Sequence, residues 1–211
     1  MRNELENLCE AAASFHARGY AFGSTGNLSV TDGERVWVTP TGASLRRLTV
    51  DRLAEIDREG KPLNGNKASK EYPFHLAAYR NSFSGARALV HLHSTWTVAL
   101  SCLEDLDAAE PLPVFTPYYL MRVAPLAVIP YLRPGSAELA VAVGEAARAH
   151  DCILMRNHGF LTLGATMDEA VDRAEELEET AKLFFLLRNE KLRYLTGAER
   201  SEIQQVFGRK K

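Results

Sequence analysis

Ala88-Leu89-Val90-His91-Leu92-His93 is followed by Ser94-Thr95-Trp96-Thr97. The first six residues read as a strand, and the next segment as a helix starting near Thr95. Side chains alternate along a strand, so His91 and His93 point to one face. Two imidazoles converging from a rigid strand can form half of a zinc site. The same spacing also suits two packed or surface histidines.

Outward from this strand the chain alternates helices and short strands. Leu5, Leu8, Cys9, Ala12 and Phe15 recur at helical spacing, and Gly19 is a stop signal. Strands at 28–30 and 35–39 flank the turn Thr31-Asp32-Gly33-Glu34, a hairpin signature. A second helix is expected from about Ser69, with Tyr72, Leu76 and Tyr79 on one face and Pro73 in its first turn. The proline-rich stretch 111–134 predicts a loop and a short strand at 126–129. Ser136 caps a helix carrying Leu139, Val143 and Ala146, and 152–155 reads as a buried strand. Thr166 and Glu169 form a capping box for a helix to about Arg188, with Val171, Ala174, Leu177, Ala181 and Phe184 inside. Helices at both ends with mixed strands between predict a three-layer α/β sandwich. No repeat or long linker divides the chain, so residues 1–211 are expected to form one domain.

Composition narrows the function. The 211 residues are 46% hydrophobic and 25% charged, with 25 Lys and Arg against 27 Asp and Glu. A net charge of −2 argues against nucleic acid, whose binding needs a cationic face. It leaves room for a small anion in a locally positive pocket. No apolar run approaches the roughly 20 residues of a membrane span. The N-terminus is charged early and lacks a signal core. Cys9, Cys102 and Cys152 have no paired spacing, which fits a reducing cytoplasm and argues against a disulfide framework or a cysteine-based zinc knuckle.

Two further residues carry chemistry in other contexts. His158 stands in Asn157-His158-Gly159, where the glycine permits a turn that brings the ring close to a partner. Glu71 follows Ser69 and Lys70 at the expected helix start, a place the helix dipole favours for an acid and also an anion site. The turns at 23–27 and 39–42 add hydroxyls and accessible backbone donors suited to a phosphate. His16, His75 and His150 fall on helices or at their ends and read as structural.

Taken in order, GSTGNLSV at 23–30, TPTG at 39–42, SKE at 69–71, VHLH at 90–93 and NHG at 157–159 resemble the class II aldolase/adducin family. The resemblance runs from the first helix to about Thr196. It implies that His91, His93 and His158 bind a divalent metal, zinc or else manganese or cobalt. It implies that Glu71 is the acid/base and also reaches the metal in substrate-free enzymes. It implies that Gly26, Asn27, Thr41, Gly42, Ser69 and Lys70 hold a substrate phosphate. The implied fold is an α/β/α sandwich with a mixed, mostly antiparallel sheet, assembled as a homotetramer with active sites between subunits.

Longer stretches, at 64–81, 91–103, 115–123 and 175–187, look most like the branch that decarboxylates 3-oxo-tetronate 4-phosphate to dihydroxyacetone phosphate through an enediolate held at the metal. Fuculose or ribulose phosphate aldolases are the alternative, since retro-aldol cleavage leaves the same enediolate. A non-catalytic adducin-like module is the alternative from another class, and it lacks the complete metal set. The epimerase branch has Asp where this chain has Glu71. Lys70 departs from the fuculose phosphate aldolase pattern, which has Ser there, and adds a point charge for a phosphate or carboxylate. In the family a tyrosine from a neighbouring subunit often assists the departing alcohol. Tyr118 and Tyr119 lie in a loop that could reach such a site, or simply pack there.

Overall fold

Seven strands form one sheet in the order β3-β2-β1-β4-β7-β6-β5. In chain order they are β1 (Asn27–Thr31), β2 (Arg35–Val38), β3 (Ala54–Asp57), β4 (Ala88–Leu92), β5 (Leu126–Ile129), β6 (Cys152–Met155) and β7 (Gly159–Gly164). The helices are α1 (Arg2–Ala17), α2 (Tyr72–Asn81), α3 (Thr95–Ser101), α4 (Ala137–Ala146), α5 (Met167–Leu187) and α6 (Gly197–Phe207). This computed structural model describes residues 1–207. Every strand pair is antiparallel except β5 with β6, so the sheet is mixed and mostly antiparallel.

The pleat sorts side chains onto two faces. On β4, Ala88, Val90 and Leu92 join a core shared with Leu8 and Phe15 of α1 and Ala174 and Leu177 of α5. Leu89 points the other way, into a cluster with Phe74 of α2 and Val143 of α4. Leu76, on the same side of the sheet, packs with Val36, Val38, Ala54 and Ile56. The helices therefore lie in layers on both faces, as the alternating elements predict. His91 shares the parity of Leu89, so it faces α2.

Local signals explain most boundaries. The Ser136 hydroxyl accepts from the Leu139 amide at 3.2 Å and starts α4. The Thr166 hydroxyl accepts from Glu169 N at 3.2 Å and starts α5. The return arm of this capping box differs from expectation: the Glu169 carboxylate accepts from Ala165 N, at 2.7 Å, one residue before the cap. The second helix also starts later than expected. Ser69-Lys70-Glu71 is a turn, with Glu71 as N-cap at φ −96°, and the helix begins at Tyr72 with proline in its first turn. Strands β3 and β7, and helix α6, are additions to the sequence reading. The three cysteines are free, as their spacing predicts. No helix among the described residues is long and apolar enough to cross a membrane.

Candidate metal centre and catalytic site

β4 is a central strand, paired with β1 on one side and β7 on the other. His91 near its end is fully buried. Its Nδ1–H donates to the Phe160 carbonyl at 2.7 Å. A carbonyl can only accept, so Nδ1 carries a proton and Nε2 is the ring nitrogen left to face a metal. His93 Nε2 lies 2.8 Å from that nitrogen. Burial first, and then the neighbouring His91 and His158, push the His93 imidazole down to about 3, which leaves it neutral as a metal ligand must be.

His158 reaches the same point from the loop joining β6 to β7, where Asn157 adopts φ +53°. The left-handed residue of this turn is thus Asn157, while Gly159 serves a close approach. A Cβ built on Gly159 would lie 2.4 Å from the Leu92 carbonyl oxygen and 3.1 Å from His93 Cδ2. Gly26 plays a similar part at the start of β1: at φ +79°, a Cβ there would meet the His91 carbonyl at 2.9 Å. Small residues on both sides let the neighbouring chains close on β4.

Glu71 completes the group. Its Oε1 is 3.3 Å from His158 Nε2 and its Oε2 is 3.5 Å from His91 Nε2. One donor atom from each of Glu71, His91, His93 and His158 lies within 4.8 Å of all the others. Both ring nitrogens of His158 are buried without a hydrogen-bond partner. A buried imidazole left so is costly unless a ligand takes its lone pair. Three imidazoles, one carboxylate and an orphaned nitrogen aimed among them fit a divalent cation. Burial works to raise the Glu71 carboxyl, but His158, His91 and the Asn27 amide outweigh it and hold it well below the usual carboxylate range.

The two glycine-bearing turns and the Ser69-Lys70 segment meet beside Glu71. The Thr39 hydroxyl accepts from Leu28 N at 3.3 Å, and Thr39 N donates to Leu28 O at 3.0 Å. Ser69 N donates to Thr39 O at 3.1 Å and Thr41 N to Lys67 O at 3.0 Å. These bonds stitch 26–28, 39–42 and 67–71 into one wall. Thr41, Gly42 and Lys70 are exposed on it, and Gly42 stands in open space. Ser69 is buried and its hydroxyl accepts from Glu71 N at 3.3 Å. Asn27 has both side-chain atoms engaged, Nδ2 on Glu71 Oε2 at 2.8 Å and Oδ1 on His75 Nε2 at 2.5 Å.

Residues 6–185 match the family described as Class II Aldolase and Adducin N-terminal domain. The chain belongs to this class II aldolase and adducin family. A relative from Haemophilus influenzae, named 3-oxo-tetronate 4-phosphate decarboxylase, is 49% identical over 95% of this chain and 96% of its own. A Methanococcus maripaludis relative named L-fuculose phosphate aldolase is 36% identical over 88% of this chain and 98% of its own. The crystal structure of YgbL from Klebsiella pneumoniae superposes with a TM-score of 0.91 at 42% identity, covering 96% of this chain and 98% of that one. Divalent-metal dependence of class II aldolases agrees with the donor set found here.

Tyr119 is buried in the core on the sheet face opposite His91. Tyr118 is 54% exposed and lines a surface recess with Tyr20, Arg122 and Asp172. Neither belongs to the Glu71–histidine cluster of its own chain. Sequence reasoning passed over Glu178 of α5, a buried carboxylate that accepts from Ser94 Oγ at 2.6 Å, Trp96 N at 2.9 Å and Thr97 N at 2.9 Å. It caps α3 in the turn that follows His93. His75, read as structural, is fully buried and touches the site through Asn27. Its one signal was its place four residues after Glu71, one helical turn on.

Proposed function

We propose that this chain is a metal-dependent carboxy-lyase that converts 3-oxo-tetronate 4-phosphate to dihydroxyacetone phosphate and carbon dioxide. The observation that carries the reading is a buried, ionised Glu71 set against three imidazoles and continuous in the chain with Ser69 and Lys70. The 49% identity to a protein named for this activity selects it within the family. His91, His93 and His158 would hold the cation, with Glu71 in reach before substrate arrives. We take zinc as the cation, manganese or cobalt as the other candidates. The bound cation supplies Lewis-acid polarisation of the substrate ketone.

The residues of the chain do the rest. Gly26, Thr41, Gly42, Ser69 and Lys70 hold the phosphate, with Asn27 at the seam between phosphate and acid/base. Glu71 enters ionised and takes the proton of the hydroxyl beside the ketone. The carbon–carbon bond to the carboxylate breaks, carbon dioxide leaves, and the electron pair remains as an enediolate. Glu71 then returns its proton to the carbon that lost the carboxylate. Water protonates the remaining alkoxide, and dihydroxyacetone phosphate results. We further propose one domain, a cytoplasmic location and a homotetramer with sites between subunits, in which Tyr118 is the tyrosine exposed for a neighbouring copy.

Incubating the metal-loaded protein with 3-oxo-tetronate 4-phosphate, fuculose phosphate and ribulose phosphate separates the readings. Dihydroxyacetone phosphate from the oxo acid alone supports decarboxylation. Its release from fuculose or ribulose phosphate supports the aldolase reading, which the 36% relative favours.

A further inference from the structure

A chain of buried hydrogen bonds runs from Glu71 away from the metal ligands, along the α2 face of the sheet. Asn27 Nδ2 donates to Glu71 Oε2 at 2.8 Å. Asn27 Oδ1 is 2.5 Å from His75 Nε2. His75 Nδ1 is 2.7 Å from Ser29 Oγ. Ser29 Oγ is 2.7 Å from the Tyr79 hydroxyl, which also donates to Ser29 O at 2.9 Å.

The direction of every link follows from its end at an ionised carboxylate. Glu71 can only accept, so the Asn27 amide must present its NH₂ there and its oxygen to His75. That oxygen can only accept, so His75 Nε2 carries a proton. Burial first, then His91, pushes the His75 imidazole down to about 3, so the ring is neutral. Its Nδ1 is therefore a lone pair, and Ser29 Oγ donates to it. The single Tyr79 proton is then shared between Ser29 Oγ and Ser29 O. Nothing in the shape of an Asn amide distinguishes its oxygen from its nitrogen; only its partners do. Here the carboxylate sets the amide from one end and His75, stacked on Phe74 at 4.7 Å between ring centres, anchors it from the other.

We propose that His75 is a positioning residue for catalysis: by donating to Asn27 it holds the amide so that Glu71 is gripped by one oxygen and keeps the other for the reacting atoms. This rests on the reading of Glu71 as acid/base. Without His75 the amide loses the anchor at its oxygen, so the NH₂ that grips Glu71 is no longer held in place and the acid can swing off line. A misplacement of about 1 Å can cost roughly 10²-fold in rate.

The test compares His75→Phe and His75→Gln in the metal-loaded enzyme. His75→Phe keeps the ring but removes both nitrogens, whereas the Gln amide can offer an N–H near the place of Nε2. The expected result is a fall in kcat of about 10²-fold for His75→Phe, with KM and metal content near wild type, and recovery of most of that loss by His75→Gln. Wild-type kcat in His75→Phe, or equal losses in both variants, would overturn the proposal. So would a loss carried by KM or metal content. Should His75→Phe not fold, nitrogen-15 imidazole spectra of the wild-type protein decide: Nε2–H with bare Nδ1 supports the chain, and Nδ1–H or a doubly protonated ring at neutral pH overturns it. If wild type is inactive on the oxo acid, the proposed function fails, while the tautomer reports on His75 independently.

Discussion

Glu178, on the long helix α5, accepts a hydrogen bond from the Ser94 hydroxyl at 2.6 Å, one residue beyond His93. Its carboxylate also takes the Trp96 and Thr97 amides. A side chain 84 residues away in sequence thus holds the turn that carries a candidate metal ligand. Glu178→Gln puts an NH₂ group where only acceptance is useful. Hydrogen bonds to charged groups contribute about 1.5–3 kcal/mol, so a loss of stability on that scale is expected. For a chain of this size that is roughly 2–4 °C of Tm per kcal/mol. Metal affinity should fall with it, since His93 loses its fixed turn. Calorimetry and metal titration of the variant check both.

Gly159→Ala should damage the site more than its size suggests. The added Cβ would sit 2.4 Å from the Leu92 carbonyl oxygen, a backbone atom that cannot rotate away. Overpacking of this kind costs typically about 1–3 kcal/mol. The strain falls between His93 and His158, so the expected outcome is a marked loss of bound metal per chain. Metal analysis of the purified variant against wild type measures it.

These two contacts mark the edge of what the sequence makes legible. His91 and His93 were readable because the two-residue period of a strand is local, and Ser136 and Thr166 because a cap is decided within three residues. β7 was not: Gly159 and Gly164 bracket it, so it reads as a loop, and its strand character comes from β4 and β6 on its two sides. β3 is four residues with two polar side chains and is placed by its pairing with β2. His75 looked structural because its partners, Ser29 and Asn27, lie 46 and 48 residues away. The likeness of the scattered motifs to one family supplied the convergence that no single segment carries.

The metal-free protein should lose stability as the pH falls from about 6.5 toward 3. His75 and His93 are both held near 3 in the folded chain, against an ordinary value of 6.5. In that window the unfolded chain binds protons that the folded chain refuses. Stability is therefore complete above 6.5 and drains away on acidification, by up to about 1.4 kcal/mol per pH unit for each imidazole. Denaturant unfolding of the chelated protein across this range gives the slope, and His75→Gln should flatten it. An unchanged slope in that variant contradicts the assignment to His75.

Lys70→Ala and Ser69→Ala address the phosphate wall. Lys70 is exposed, and its loss should raise KM for the phosphorylated substrate while metal content stays level. Ser69→Ala also removes the acceptor for Glu71 N, so it should lower kcat as well. Steady-state kinetics with phosphorylated and unphosphorylated oxo acid provide the comparison. Equal affinity for the two substrates in wild type would remove the phosphate role.

Glu71→Gln tests the central claim most directly. The amide is nearly isosteric with the carboxyl but cannot carry a proton to and fro at neutral pH. General acid/base groups contribute about 10²–10⁴-fold, so dihydroxyacetone phosphate formation from 3-oxo-tetronate 4-phosphate should fall by that range while the fold and most of the bound metal persist. Formation at the wild-type rate by a metal-loaded Glu71→Gln protein would contradict the account and leave Glu71 as a ligand and helix cap alone.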